Sequence, residues 1–330
     1  MVIADIFRAT RIERACFGLA AAFVPISRFP ISTFYAISFE FTLFCVAATL
    51  LYCALGIMNA WLDNDFSLPL LWKKVVFIMF IATIIVSLFS IKVFFAVLAY
   101  IFLGIIYNTV ARKIFMMDGI LLSIAHYFLP VFFTSYLLNA DIVNSLYLSF
   151  YFFAFSFFFM PLKNIRGAKE DRKRGYKTIP AMHVAGGIIT LMLMDISFFV
   201  MLIGFFAFRL SLIYLVCLFL MLVLGSILKF LHSSGNEELF GHVFRLGLIF
   251  FPLSFILSSS PPLYVVLFPF ALFIVLIYKI YSFIKKSGML TYKCFIFNLN
   301  NFIIWHKRVF FSSFARTNDE KSYGLLTISR

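Results

Sequence analysis

Charge is what this sequence has least of. Only 13% of its 330 residues are Asp, Glu, Lys or Arg, about half of what a soluble domain carries. Acids are the scarcer sign, 14 against 28 bases. A water-soluble globular fold is excluded on this ground. Cysteine is also sparse. Cys16, Cys45, Cys53, Cys217 and Cys294 show neither a C-x-x-C pair nor Cys/His metal spacing, so no zinc or thiol-redox site is predicted. Four of them lie in apolar runs and read as small buried hydrophobes. The first 18 residues lack a basic start, an apolar centre and a small-residue cleavage site. The expectation is that no leader is removed. No internal repeat stands out, although two polar clusters four segments apart hint at a distant duplication.

Hydrocarbon fills the space that charge leaves. The chain is 63% hydrophobic and 20% aromatic, with a mean hydropathy of +1.03. About 20 apolar residues cross a bilayer as a helix. Ten candidate segments are read at 13–28, 33–59, 75–91, 93–109, 118–138, 142–162, 182–208, 210–231, 241–258 and 262–284. The first and ninth are short or weak, so nine spans and ten both stay open. The predicted class is all-α, a polytopic membrane bundle of nine or ten helices. With the N-terminus cytoplasmic, all but Arg28, Lys92 and Arg209 of the 28 bases fall at cytoplasmic ends. That split follows the positive-inside rule. It also explains the net charge of +14 without a nucleic-acid partner. The expected setting is the lipid bilayer of a plasma (inner) membrane.

Two polar clusters then share one side of that membrane. The second segment ends in NAWLDNDFS. Asn59 and Asp63 are four apart, on one helix face, with Asp65 just beyond. The sixth segment runs into KNIRGAKEDRKRGYKTIP, Lys163 to Pro180, which holds seven of the 28 bases. There Asn164, Gly167 and Asp171 repeat at i, i+3 and i+7, and Glu170 precedes Asp171. Charge next to lipid is costly, so its concentration marks a site. Amide and carboxylate oxygens suit Mg²⁺, which shares its shell with substrate phosphates. The predicted metal set is Asn59, Asp63, Asp65, Asn164, Glu170 and Asp171. Arg112, Lys113, Arg166, Arg172 and Lys177 are predicted to neutralise phosphate.

At these residues the chain resembles the UbiA-type intramembrane prenyltransferases. That family carries Asp-rich motifs after the second and sixth spans, the latter followed by bases, a glycine and T-L-P. Asp171, Gly175, Lys177, Thr178 and Pro180 fit the second motif, while Asn164 and Gly167 stand where the family has aspartates. Asn59 and Asp63 fit the first motif, Ala60 and Ser67 replace acids, and Asp65 is two places early. The third element, YNTVARK from Tyr107 to Lys113, is similar to the family's diphosphate-binding tyrosine and basic pair. Asp118-Gly119 stands where an asparagine is usual. The resemblance covers roughly residues 8–285.

It implies a helical bundle around a central cavity, and transfer of a prenyl group from a polyprenyl diphosphate to an aromatic or lipid-precursor acceptor. It further implies Tyr107 as a diphosphate ligand, Asp63 and Asp171 as the catalytic carboxylates, and Mg²⁺ as cofactor. The phenylalanines, 48 in all, suit an isoprenoid channel and equally suit packing toward lipid. Two other readings stay open: a transporter of an anionic lipid or metabolite, and a non-catalytic isoprenoid-binding relative.

Five residues stand outside the motifs. Glu40, near the outer end of the second segment, is expected to lie away from the metal site. Asp195, inside the seventh, either touches an acceptor or proton path or is hydrogen-bonded to Ser, Tyr or the backbone, the latter expected. His126, inside the fifth, lines the cavity or packs as a neutral histidine, the latter expected. Arg8 and Arg11 serve equally as anchors or as substrate bases. Residues 1–285 are read as the membrane domain and 286–330 as a basic cytoplasmic or interfacial tail.

Overall fold

In the computed structural model, residues 12–29, 34–62, 70–183, 185–259 and 263–286 are described. Among them the chain is entirely helical and turn, with α1 (Ile12–Ala22), α2 (Val24–Arg28), α3 (Phe34–Leu62), α4 (Leu70–Ser87) and α5 (Ile91–Thr109). Then come α6 (Met117–Ser123), a π-helical turn (Ile124–Phe128), α7 (Leu129–Leu137) and α8 (Ile142–Phe159). After the polar stretch follow α9 (Ala168–Lys173), α10 (Ile179–Met182), α11 (Gly186–Ala207), α12 (Leu212–Ser233), α13 (Glu237–Ser258) and α14 (Leu263–Lys286). Lipid offers no partner to backbone polar groups, so an apolar chain satisfies them within helices. The sequence marks where these begin. Ser90, Asp141 and Asn236 side chains accept from the backbone N–H three residues on, which caps α5, α8 and α13.

Each of the ten apolar segments corresponds to one of these helices or to a run of two. Eight stretches among the described residues are long and apolar enough to cross a membrane. The first segment is a shorter one, Ala15–Arg28. The packing forms a ring. α1 touches α3, α3 touches α5, α5 touches α7, and α7 touches α8. The ring continues through α11, α12 and α13 back to α1. α4 packs outside against α3 and α5, and α14 outside against α13. Burial follows this order: 78% of the α13 span is buried, against 17% of α14.

The phenylalanines divide between two jobs. Phe155 of α8 stacks on Phe251 of α13 and Phe152 packs tilted against it, with ring centroids 3.6 and 4.7 Å apart. Phe159 extends the stack to Phe244 at 5.5 Å. Gly247 makes this crossing possible, because a Cβ there would lie 2.8 Å from the Phe159 ring. Others, such as Phe102 and Phe206, face outward as a lipid-facing belt. A contiguous apolar surface of this extent belongs in a membrane.

Candidate functional site

Three helix ends converge at one end of the ring. Tyr107 lies in the last turn of α5. The chain then makes a short 3₁₀ turn, Ala111–Lys113, and passes through Met116 in the left-handed region at φ 59°. Asp118 follows in the first turn of α6, where the helix dipole favours an acid. From the other side α8 ends at Phe159 and tightens into a 3₁₀ turn, Met160–Asn164, with Pro161 near its start. That turn delivers Lys163 and Asn164 to Asp118.

The contacts are specific. The Asn164 amide donates from Nδ2 to Asp118 Oδ2 at 2.8 Å. Lys163 Nζ lies 3.8 Å from the same oxygen and donates to the Tyr107 hydroxyl at 3.1 Å. The ammonium also sits 5.5 Å from the centre of the Tyr107 ring, within cation–π range. Asp118 and Asn164 are buried. Beside them is a cleft of about 10 Å³, lined by Met116, Gly119, Phe157, Pro161 and Ile179 as well. That is about the space one water molecule needs.

The rest of the charged stretch folds on itself. Asp171, at the second turn of the motif, accepts from the Thr178 hydroxyl at 3.1 Å. Its carbonyl accepts from the Tyr176 N–H, and Gly175 at φ 71° allows the reversal between them. The Arg172 guanidinium donates to the Ala181 carbonyl at 2.8 Å. Gly186 is forced by its surroundings, since a Cβ would meet the Ile179 carbonyl oxygen at 2.3 Å. The Gly, Thr and Pro of the motif therefore build one compact loop, and Asp171 ties it together.

The predicted residues thus separate. Tyr107 and Asn164 are linked through the Lys163–Asp118 pair. Asp171 and Arg172 serve their own loop. Lys113, Glu170 and Lys177 are exposed. Arg166 is exposed and lies near Gly241 of α13. Asn59 is buried near the end of α3. Asp63, Asp65 and the Arg112 side chain lie outside the described residues, as do Arg8, Arg11 and the tail beyond 286. Among the described residues no three of His, Cys, Asp and Glu gather as a metal site. At Asp118 the neighbours are an ammonium and an amide NH₂, both donors, where Mg²⁺ needs converging oxygens. The α8 half of the site does not fit a resident Mg²⁺.

Lys163 was legible only as an orienting base. Asp118 had one signal: an acid stands at the asparagine position while an amide stands at 164. Three of the residues outside the motifs are also placed. Glu40 is at the opposite end of the ring, accepting from Ser90 at 2.8 Å. His126 is buried in the π turn, stacked on Tyr52 at 5.1 Å. Asp195 differs from expectation: it pairs with Lys229 of α12 at 2.8 Å rather than with a hydroxyl or the backbone.

At the level of sequence, no protein-family model matches the chain and no curated protein matches it. Solved structures do. The chain is similar to an apo UbiA homolog from Aeropyrum pernix K1, with TM-score 0.57 and 17% identity over 74% of this chain and 98% of that one. It has the UbiA-type prenyltransferase fold. A structure of digeranylgeranylglyceryl phosphate synthase in membranes is also similar, with TM-score 0.51 and 14% identity over 78% of this chain and 98% of that one. In this bundle the ends of α5 and α8, which carry two of the three motif elements, meet through Lys163.

Proposed function

We propose that the protein is an intramembrane prenyltransferase, moving a prenyl group from a polyprenyl diphosphate to an aromatic or lipid-precursor acceptor. One observation carries the reading. Lys163 joins Tyr107 to Asp118 where α5, α6 and α8 have their ends at one side of the bundle. An ammonium and a phenol meet here beside an apolar interior, with the pair Arg112 and Lys113 next in the sequence. A prenyl diphosphate has the same two halves.

The chemistry follows from these groups. The Tyr107 hydroxyl, Lys163, Arg112 and Lys113 donate to the diphosphate oxygens. As the allylic C–O bond breaks, its electron pair leaves with the diphosphate, whose growing charge these donors stabilise. The acceptor's nucleophilic atom bonds the allylic carbon and loses a proton. Aromatic walls exclude water, which would otherwise capture the cation. Mg²⁺ bound by Asn59, Asp63 and Asp65 of the first motif would supply further positive charge to the leaving group. The loop held by Asp171 and Thr178 closes the polar face, with Glu170, Arg166, Arg172 and Lys177 on its rim. The active end faces the cytoplasm, in keeping with the basic residues there. The donor enters by widening the cleft beside Asp118.

The test uses purified protein, labelled farnesyl or geranylgeranyl diphosphate, and candidate aromatic and glyceryl phosphate acceptors. Diphosphate release should require both acceptor and Mg²⁺. The Asp63→Ala, Asp171→Ala double variant should lose it by at least about 100-fold. Full activity in that variant would sink the proposed site. Donor binding without turnover on any acceptor would favour a non-catalytic isoprenoid-binding protein.

A further inference from the structure

Lys163 lies where one motif half of a two-cluster site would hold an ion. We infer that it is a resident cation at that position, anchored by Asp118, and that this half of the site takes no divalent metal. The inference rests on the diphosphate-binding reading above.

Four observations lead to it. Asp118 is 5% exposed, and a buried carboxylate needs a positive partner. That partner is the Lys163 ammonium at 3.8 Å. Second, Asn164 turns its NH₂ toward Asp118 at 2.8 Å. This orientation is physically required, because an amide oxygen facing a carboxylate oxygen would repel it. The shared Oδ2 atom is therefore ringed by donors and is a poor metal ligand. Third, Gly167 brings no ligand, and Asp171 is turned to Thr178. Fourth, an ammonium has three N–H donors. Lys163 gives one to Tyr107 and directs one toward Asp118, which leaves one for a diphosphate oxygen on the Tyr107 side.

The charges agree with this arrangement. Position 164 carries an amide and position 118 an acid, the reverse of the family pattern, so the site keeps one carboxylate at this junction. Here the acid holds a lysine instead of an ion. The lysine needs no metal supply, and it is fixed before substrate arrives.

The experiment counts ions. Full-length protein in nanodiscs is titrated with Mn²⁺ in the presence of a prenyl thiodiphosphate, which binds without ionising, and bound Mn²⁺ is read by electron paramagnetic resonance. The expected count is one per chain. In the Lys163→Ala, Asn164→Asp double variant it rises to two. In Lys163→Ala alone, analogue affinity falls about 10- to 100-fold, as for loss of a hydrogen bond to a charged group, and excess Mn²⁺ does not restore it. Two Mn²⁺ per wild-type chain, or unchanged analogue affinity in Lys163→Ala, overturns the inference and leaves the prenyltransferase reading standing. No analogue binding at any Mn²⁺ concentration overturns both. The wild-type count needs no variant, so a misfolded substitution does not block the test.

Discussion

The two ends of the bundle use the same parts for different ends. At the end opposite the site, Lys92 lies 3.9 Å from Glu40, donates to Asn139 at 2.7 Å and sits over the Tyr136 ring at 5.3 Å. At the motif end, Lys163 lies 3.8 Å from Asp118 and over the Tyr107 ring at 5.5 Å, with Asn164 on the same carboxylate. Lysine, carboxylate, asparagine and tyrosine recur in both. The carboxylates differ: the Glu40 side chain is 29% exposed and the Asp118 side chain 6%. A wet ion pair holds helix ends together at little cost or gain. A buried one carries a desolvation penalty and persists where something else needs the charge. The comparison therefore separates a staple from a site, although their contact lists read alike.

The largest expected effect is at Lys163. Lys163→Ala should strand the Asp118 charge and cost about 2–4 kcal/mol, seen as a lower thermal midpoint in detergent, and should abolish prenyl transfer. Lys163→Arg should recover the stability more fully than the activity, because a planar fork does not replace a point charge. Next is the junction itself. Asp118→Asn should release Lys163 and cut turnover at least about 10-fold. Adding Asn164→Asp should restore part of it, since the amide–carboxylate pair is then rebuilt in reverse. No recovery would show that the side on which the acid stands matters. The smallest effect is at the opposite end. Lys92→Ala should cost under about 1 kcal/mol and leave prenyl transfer unchanged. A loss of activity there would erase the distinction between the ends.

Much of the architecture was legible. Continuous apolar runs placed all ten segments, because in lipid the helix is the only local solution. The site was legible in part. Tyr107 and Asn164 were readable from their motifs. Asp63 and Asp65 carry the first motif and lie outside the described residues. Lys163 and Lys229 looked like ordinary orienting bases. Their partners, Asp118 and Asp195, lie 45 and 34 positions away in the sequence, and helix packing alone decides such meetings. Arg172 was read as a phosphate ligand, yet a local loop closure uses it. No helical spacing distinguishes a base aimed at substrate from one aimed at a carbonyl within a proline-containing turn.

The central claim is that a prenyl diphosphate binds at the Lys163 end of the bundle. The direct measurement is the affinity of a prenyl thiodiphosphate for wild type, Lys163→Ala and Lys92→Ala in nanodiscs at fixed Mg²⁺. The account predicts wild-type affinity in Lys92→Ala and a loss of about 10-fold or more in Lys163→Ala. Equal affinities in all three, or the larger loss in Lys92→Ala, would contradict it.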